Sequence, residues 1–202
     1  MNFVNLAVEG DTDVPVAERL IALVGLQPHA VVTGPGAPNL DPRIPEFNRS
    51  GEHVNWLILR DLDHDAPCPA ELVPDLLGRQ PLARRVALRI PVRAVESWLL
   101  ADREGFAREF GVALRQLPTD PDSLEAPKRR LIDVCRRSRR ADIRRGMTPR
   151  EGSGRSVGPE YVTRIVAFAR FAWEPERAAE ASESLRRSLA ALRRRVDDGS
   201  WG

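Results

Sequence analysis

The sequence has 202 residues, enough for one domain with a sizeable core or for one domain with an appendage. Its 42% hydrophobic and 30% charged residues are ordinary for a globular protein, and no apolar run approaches the ~20 residues that cross a bilayer. The start lacks the features of a signal peptide. The two cysteines, Cys68 and Cys135, have no metal-ligand spacing, which excludes a zinc site of the usual kind. We therefore expect a cytoplasmic protein without a membrane segment.

Charge is distributed unevenly along the chain. Residues 1–126 carry a net charge of −7 and residues 127–195 carry +11. An acidic front predicts a cation site and a basic back predicts contact with a polyanion, although solvated arginine-rich helices would give the same charges. Lys128 is the only lysine, against 30 arginines. Either an ammonium has a function there that a guanidinium cannot perform, or its presence is chance.

In chain order, FVNLAV (3–8) is typical of a buried strand, and the segment after it has helical spacing from Val16 to Val24, with Asp11 or Thr12 as N-cap. HAVVTG (29–34) predicts a second strand. The Gly/Pro-rich stretch 34–46 predicts a loop with at most a short helix.

VNWLILRDLDHD (54–65) predicts the clearest strand, followed by a short helix over 69–77 and a fourth strand over 84–92. Residues 94–112 follow at helical period with Gly111 as C-cap, and Trp98 lies in their apolar stripe as a core residue. This alternation predicts an α/β fold with a mostly parallel four-stranded sheet flanked by helices.

A linker over 117–127 separates a predicted α/β domain, 1–116, from a basic helical segment, 127–196, packed on it or beside it. Three helices are expected in that segment, at 127–138, 158–173 and 175–195, with a flexible Gly-rich turn before Gly158.

Carboxylates crowd the ends of two predicted strands. Glu9 ends the first and Asp61 ends the third, and Asp63 would point to the same side as Asp61 if the backbone stays extended. Functional groups of a parallel sheet gather at these carboxyl ends, and hard oxygen ligands select Mg²⁺ or Mn²⁺. Asp13 is also explained as a carboxylate at a helix start, and Asp65 as an exposed loop residue.

Two of these segments carry a resemblance. VEGDTD (8–13) and LRDLDHD (59–65) resemble the glutamate and Asp-x-Asp motifs of Toprim domains, over about residues 1–112. The segments 93–112, 127–128, 158–161 and 184–195 are similar to an uncharacterised Toprim-like bacterial family, related to the overcoming-lysogenization-defect nucleases. Members of that family are often encoded beside ATPases in phage-defence contexts.

The resemblance implies roles for particular residues. Glu9 would be the general acid/base or a metal ligand, and Asp61 and Asp63 would coordinate Mg²⁺. Glu96 would be a further catalytic carboxylate, and Lys128 would stabilise a phosphate in the transition state. Gly10, Asp13 and Asp65 are additional candidates of the same motifs.

The resulting hypothesis is a Mg²⁺-dependent nuclease acting on DNA or RNA. The chain has too little room for a topoisomerase gate, no polymerising scaffold of a primase and no zinc motif of a recombination mediator. Arginines of the basic segment would contact phosphates without reading sequence; those expected to do so are Arg129, Arg130, Arg136 and Arg155.

Two rivals and an assembly question stay open. The chain would alternatively be a non-catalytic or latent module that acts through a partner such as an ATPase, with Val162, Ile165, Val166, Phe168 and Trp173 as the interface. A haloacid-dehalogenase-like phosphatase, suggested by Asp-x-Asp, is a lower alternative because it needs an aspartate where this chain has Glu9. A homo-oligomer is also compatible with the sequence.

Overall fold

The computed structural model describes residues 3–201, which form a four-stranded sheet flanked by helices. The strands run in the order β2-β1-β3-β4, and every neighbouring pair is parallel. Their bounds are Phe3–Val8 (β1), Gln27–Thr33 (β2), Trp56–Leu59 (β3) and Val86–Arg89 (β4). The predicted α/β class with a parallel four-stranded sheet is confirmed.

Alternation along the strands divides the interior into two hydrophobic cores, one on each face of the sheet. Leu6 and Leu57 belong to one core, and their neighbours Ala7 and Ile58 belong to the other. All four are fully or almost fully buried. Residues buried on both faces explain why these strands read as continuous apolar runs.

The first part of the chain contains six helices among the described residues: Val14–Leu23 (α1), Ala37–Leu40 (α2), Ile44–Ser50 (α3), Pro69–Leu76 (α4), Val95–Ala101 (α5) and Arg103–Phe110 (α6). The stretch 34–46, predicted to be a loop with at most a short helix, contains more helix than expected, because α2, a 3₁₀ turn and the start of α3 occupy residues 37–46. Three of its four prolines, Pro38, Pro42 and Pro45, lie in the first turns of these helices, where a missing N–H costs no hydrogen bond.

The continuous helix predicted over 94–112 is divided in two at Asp102. The Asp102 carboxylate is fully buried and accepts a hydrogen bond from Gly105 N at 3.0 Å, so it caps the start of α6. The same carboxylate binds Arg177 of the C-terminal part, with 2.6 Å between Oδ1 and Nε. Trp98 is fully buried, as expected.

The C-terminal part has five helices in the described residues, where three were expected: Pro127–Arg136 (α7), Ala141–Met147 (α8), Tyr161–Phe171 (α9), Pro175–Ala181 (α10) and Glu183–Asp197 (α11). The helix α8 was not predicted. The last predicted helix is divided at Ser182, whose hydroxyl accepts from Leu185 N at 3.2 Å and caps α11.

These C-terminal helices pack on the α/β part and share its core. Tyr161 and Trp173 lie in the same apolar cluster as Leu6 and Leu20. Beyond α11, the Trp201 indole donates to Arg85 O at 2.9 Å and closes the β4 side of the sheet. In residues 3–201, no helix combines the length and apolar character needed to span a bilayer.

Because the core is shared, truncating two aromatic residues that lie two positions apart should lower the free energy of unfolding by unequal amounts. Trp173 is fully buried, whereas Phe171 is 81% exposed. We expect Trp173→Ala to lower the free energy of unfolding by about 3–5 kcal/mol, the usual cost of truncating a buried aromatic residue. Phe171→Ala, the matched control, should change it by less than about 0.5 kcal/mol. Urea denaturation measures both, and equal small effects would contradict a shared core.

Candidate metal centre

The site lies where the sheet order changes direction. From β1 the chain moves outward to β2 and then returns to β3 on the other side of β1, so the carboxyl ends of β1 and β3 border a crevice. This crevice opens into a cavity of about 540 Å³. Acidic and basic side chains share its lining: Glu9, Asp13, Asp61, Asp63, Glu96 and Glu125, with His64, Arg93 and Lys128.

Glu9 follows β1 directly and is fixed to the end of β3. Its Oε1 accepts a hydrogen bond from Asp61 N at 2.7 Å and lies 3.7 Å from Arg60 Nε. Burial raises the pKa of Glu9 above its usual value, while the Asp61 hydrogen bond and Arg60 oppose the rise. A mostly buried carboxylate with a raised pKa is suited to accept a proton.

Arg60 is a buried cation at the centre of this edge. Its side chain is 2% exposed and forms a bidentate pair with Asp41, at 3.0 Å from Nε and 2.9 Å from Nη2. It also pairs with Asp65. Asp65 lines a second cavity of about 880 Å³. The two cavities have Glu9, Gly36 and Asp63 in common.

Asp61 and Asp63 both line the first cavity, although their backbones differ from the expected geometry. Asp61 Oδ1 accepts from Val95 N, the first residue of α5, at 2.9 Å. Burial and the neighbouring carboxylates Asp13 and Glu96 raise the pKa of Asp61 well above its usual value. The extended arrangement predicted for this pair was wrong: β3 ends at Leu59, and Asp63 has a φ of 46° in the left-handed region.

Asp13 is a buried carboxylate next to the same group. It lies at the N-cap position of α1, and its Oδ2 accepts from Gly10 N at 2.9 Å rather than from the helix. Burial, with repulsion from Glu96 and Glu9, raises the pKa of Asp13 to about 7. Asp13 and Gly10 both line the cavity, and their part in a metal site stays a prediction.

Glu96 and Lys128 meet although they come from different parts of the chain. Glu96, in the first turn of α5, is 4% exposed, and its Oε1 lies 3.3 Å from Lys128 Nζ at the start of α7. The attraction of Glu96 raises the pKa of Lys128, so the ammonium stays protonated near neutral pH. The Tyr161 hydroxyl also donates to Glu96 Oε1, at 2.8 Å.

None of the four arginines expected to contact phosphates lines the cavity. Arg130 donates to Gln116 O at 2.7 Å, and Arg136 pairs with Asp133 at 2.9 Å. Arg129 and Arg155 are exposed and form no ion pair within residues 3–201.

Arg93 is a site residue that the sequence motifs did not indicate. Arg93 lines the cavity, and its Nη1 donates to Asp63 O at 2.8 Å. Its position shortly after β4 was the available signal, because the carboxyl ends of parallel strands share one edge.

The donor chemistry suits a hard divalent cation. Carboxylates whose pKa values rise through burial and mutual repulsion are relieved by a cation between them, and oxygen ligands select Mg²⁺ or Mn²⁺. In the described part of the chain, no three His, Cys, Asp or Glu side chains are already arranged as a metal cage. Mg²⁺ usually takes only one or two carboxylates and keeps several waters, so its binding needs no such cage.

Comparison of this chain with protein-family models, with curated proteins and with solved structures gives no match. The Toprim resemblance of the two motifs therefore stays a prediction.

The raised pKa of Asp13 predicts a particular pH dependence of stability. A carboxyl whose pKa is about 7 in the folded state and 3.8 unfolded stabilises the fold below pH 4 and loses that contribution as pH rises through 7. Between pH 4 and 7, wild type should therefore lose stability relative to Asp13→Asn by up to about 1.4 kcal/mol per pH unit. Urea denaturation at several pH values with EDTA measures this difference. A difference that does not vary with pH would contradict the raised pKa.

Proposed function

We propose that this protein is a Mg²⁺- or Mn²⁺-dependent hydrolase of phosphodiesters, acting as a nuclease. The observation that supports the proposal most is the convergence of Glu9, Asp61 and Asp63 on one cavity that Lys128 and Arg93 also line. Carboxylates beside cations are what phosphodiester hydrolysis with a metal ion needs: ligands for the metal, a base for water and a cradle for phosphate.

Each group has a role in this proposal. Asp61 and Asp63 would hold the metal, which when bound supplies Lewis acidity toward a phosphoryl oxygen and lowers the pKa of water. Glu9 would accept the proton of the attacking water on its carboxylate, since its raised pKa favours proton uptake. The hydrogen bond from Asp61 N would keep that carboxylate oriented toward the metal ligands.

The cationic side of the cavity would bind the substrate backbone. Lys128 and Pro127, at the start of α7, line this wall, and their helix N-terminus adds partial positive charge for a phosphate. The Arg93 guanidinium, half-buried beside Asp63, would neutralise a second phosphate oxygen.

The charges around the cavity also indicate how a polyanion would lie. The adjoining cavity contains Asp41, Asp65 and Asp75, which repel phosphates. The surface of α7 and α8 instead carries exposed arginines without an ion pair in residues 3–201: Arg129, Arg137, Arg139 and Arg145. A nucleic acid strand would therefore cross the site toward α7 and α8, held by charge and without sequence readout.

The five residues considered as the interface of a partner-dependent module differ in burial. Ile165, Phe168 and Trp173 are buried in the core, whereas Val162 is exposed and Val166 is half-buried. Only the last two remain accessible to a partner. The resemblance to a Toprim-like family encoded in phage-defence loci, although no comparison tests it, agrees with hydrolysis of invading nucleic acid. The proposal therefore keeps anti-phage defence as its biological setting and an ATPase as a partner to be sought.

Cleavage of labelled substrates tests the proposal. We expect wild type to cut at least one of single-stranded RNA, tRNA, single-stranded DNA and plasmid with Mg²⁺ or Mn²⁺, and to cut none with EDTA. Asp61→Asn/Asp63→Asn keeps the side-chain shapes but removes two charges, and should lower the rate at least about 100-fold, as loss of a major electrostatic stabiliser does. Gel analysis of initial rates measures this.

Asp120→Asn/Asp197→Asn is the matched control, because it also removes two carboxylates, both exposed and both outside the cavity. Its rate should stay within about twofold of wild type, as expected for surface substitutions. Metal-independent cleavage, equal loss in both double variants, or no cleavage of any substrate by wild type would each refute the proposed function.

A further inference from the structure

Tyr161 is the only tyrosine of the chain, and its hydroxyl donates a hydrogen bond to the carboxylate of Glu96. The residue is 3% exposed, and the hydroxyl lies 2.8 Å from Glu96 Oε1. Burial, followed by the nearby charge of Glu96, raises the pKa of Tyr161 above its usual value. The phenol therefore stays protonated near neutral pH, and it serves as a hydrogen-bond donor.

The same oxygen of Glu96 contacts Lys128 Nζ at 3.3 Å. Lys128 is half-exposed and sits on a flexible stem, so the ion pair with Glu96 is what holds the ammonium toward the cavity. The carboxylates that act on this ammonium are Glu96, Asp61 and Asp13. A buried glutamate can orient a lysine only if its own rotamer is held, and the Tyr161 hydroxyl supplies that restraint.

Close contacts between the residues before Tyr161 and the end of α8 fix the position of the Tyr161 ring. Gly158 N donates to Met147 O at 3.1 Å, and a Cβ on Gly158 would lie 2.2 Å from the carbonyl oxygen of Gly146. Only glycine allows that approach. The Glu160 N–H donates to Gly146 O at 2.9 Å, which fixes the start of α9 against the end of α8. Gly158 is therefore required for close packing, beyond the helix start that its sequence position indicates.

We propose that Tyr161 is a positioning residue, which acts through Glu96 to hold the Lys128 ammonium over the acidic cavity. The contacts among Tyr161, Glu96 and Lys128 exist without substrate. The inference therefore rests on the proposed function only for its expected effect on kcat. It makes the C-terminal helices part of the site: α7 supplies the cation, and α9 supplies the group that orients it.

The single lysine allows a test that needs no activity. Reductive ¹³C-methylation keeps the positive charge and places a label on Lys128, and its resonance is assigned by its absence from Lys128→Arg. Glu96→Gln should lower the pKa of the labelled amine by about one unit, the effect of removing an opposite charge at this range. Tyr161→Phe should lower it by roughly half as much, because Glu96 then loses its orienting donor while the ring still packs.

Ser138→Ala is the matched control. Ser138 is another buried hydroxyl of the C-terminal part, 3% exposed, and donates to Phe110 O at 2.6 Å away from the cavity. Its loss should leave the pKa of Lys128 unchanged. An unmoved pKa in Tyr161→Phe, or an equal fall in Ser138→Ala, would overturn the proposal, because either result gives Tyr161 only a structural role.

Kinetics supply a second, separable readout. If Tyr161 acts through Lys128, Tyr161→Phe should lower kcat about 10-fold and leave KM within about twofold, since the lost interaction belongs to the transition state. Tyr161→Phe/Lys128→Ala should be no slower than Lys128→Ala alone, because the two residues act as a unit. Additive losses would refute positioning. If wild type cleaves nothing, the proposed function fails, and the pKa measurements still decide the role of Tyr161.

Discussion

Like charges held together at one edge of a sheet are the constraint on which the rest of this structure depends. Two unit charges 4 Å apart repel by about 1 kcal/mol in water and by about 4 kcal/mol near a protein surface. Here that repulsion is offset by fixed partners. Arg60 lies beneath Glu9, while the N–H groups of Asp61 and Val95 hold Glu9 and Asp61. Lys128 lines the same cavity, with its Nζ 3.3 Å from Glu96 Oε1.

The fold supplies these partners through its topology. Parallel strands bring the residues after β1 and β3 to one edge, and the start of α5 adds a backbone donor from beyond β4. The C-terminal helices share the core of the α/β part. They therefore do not behave as a separate basic appendage. Of the basic C-terminal segment, Pro127 and Lys128 line the cavity, beside carboxylates that come from the acidic front of the chain.

Residues near strand ends could be predicted because their placement depends on local pattern. Glu9 and Asp61 follow apolar runs directly, and a parallel sheet places such residues together. The left-handed backbone of Asp63 and the division of a helix at Asp102 could not be predicted, since both depend on contacts with distant segments. The bond from Tyr161 to Glu96 spans 65 positions, and no sequence periodicity reports a contact of that kind.

The sharing of one cavity by distant segments affects when the site forms during synthesis. Domains generally fold from the N-terminal side while the ribosome adds the remainder. The strands that carry Glu9 and Asp61 leave the ribosome long before Lys128, and Tyr161 follows later still. A nascent chain thus holds the carboxylates of the cavity before Lys128 has been added. The complete site therefore forms only after the last helices have been made.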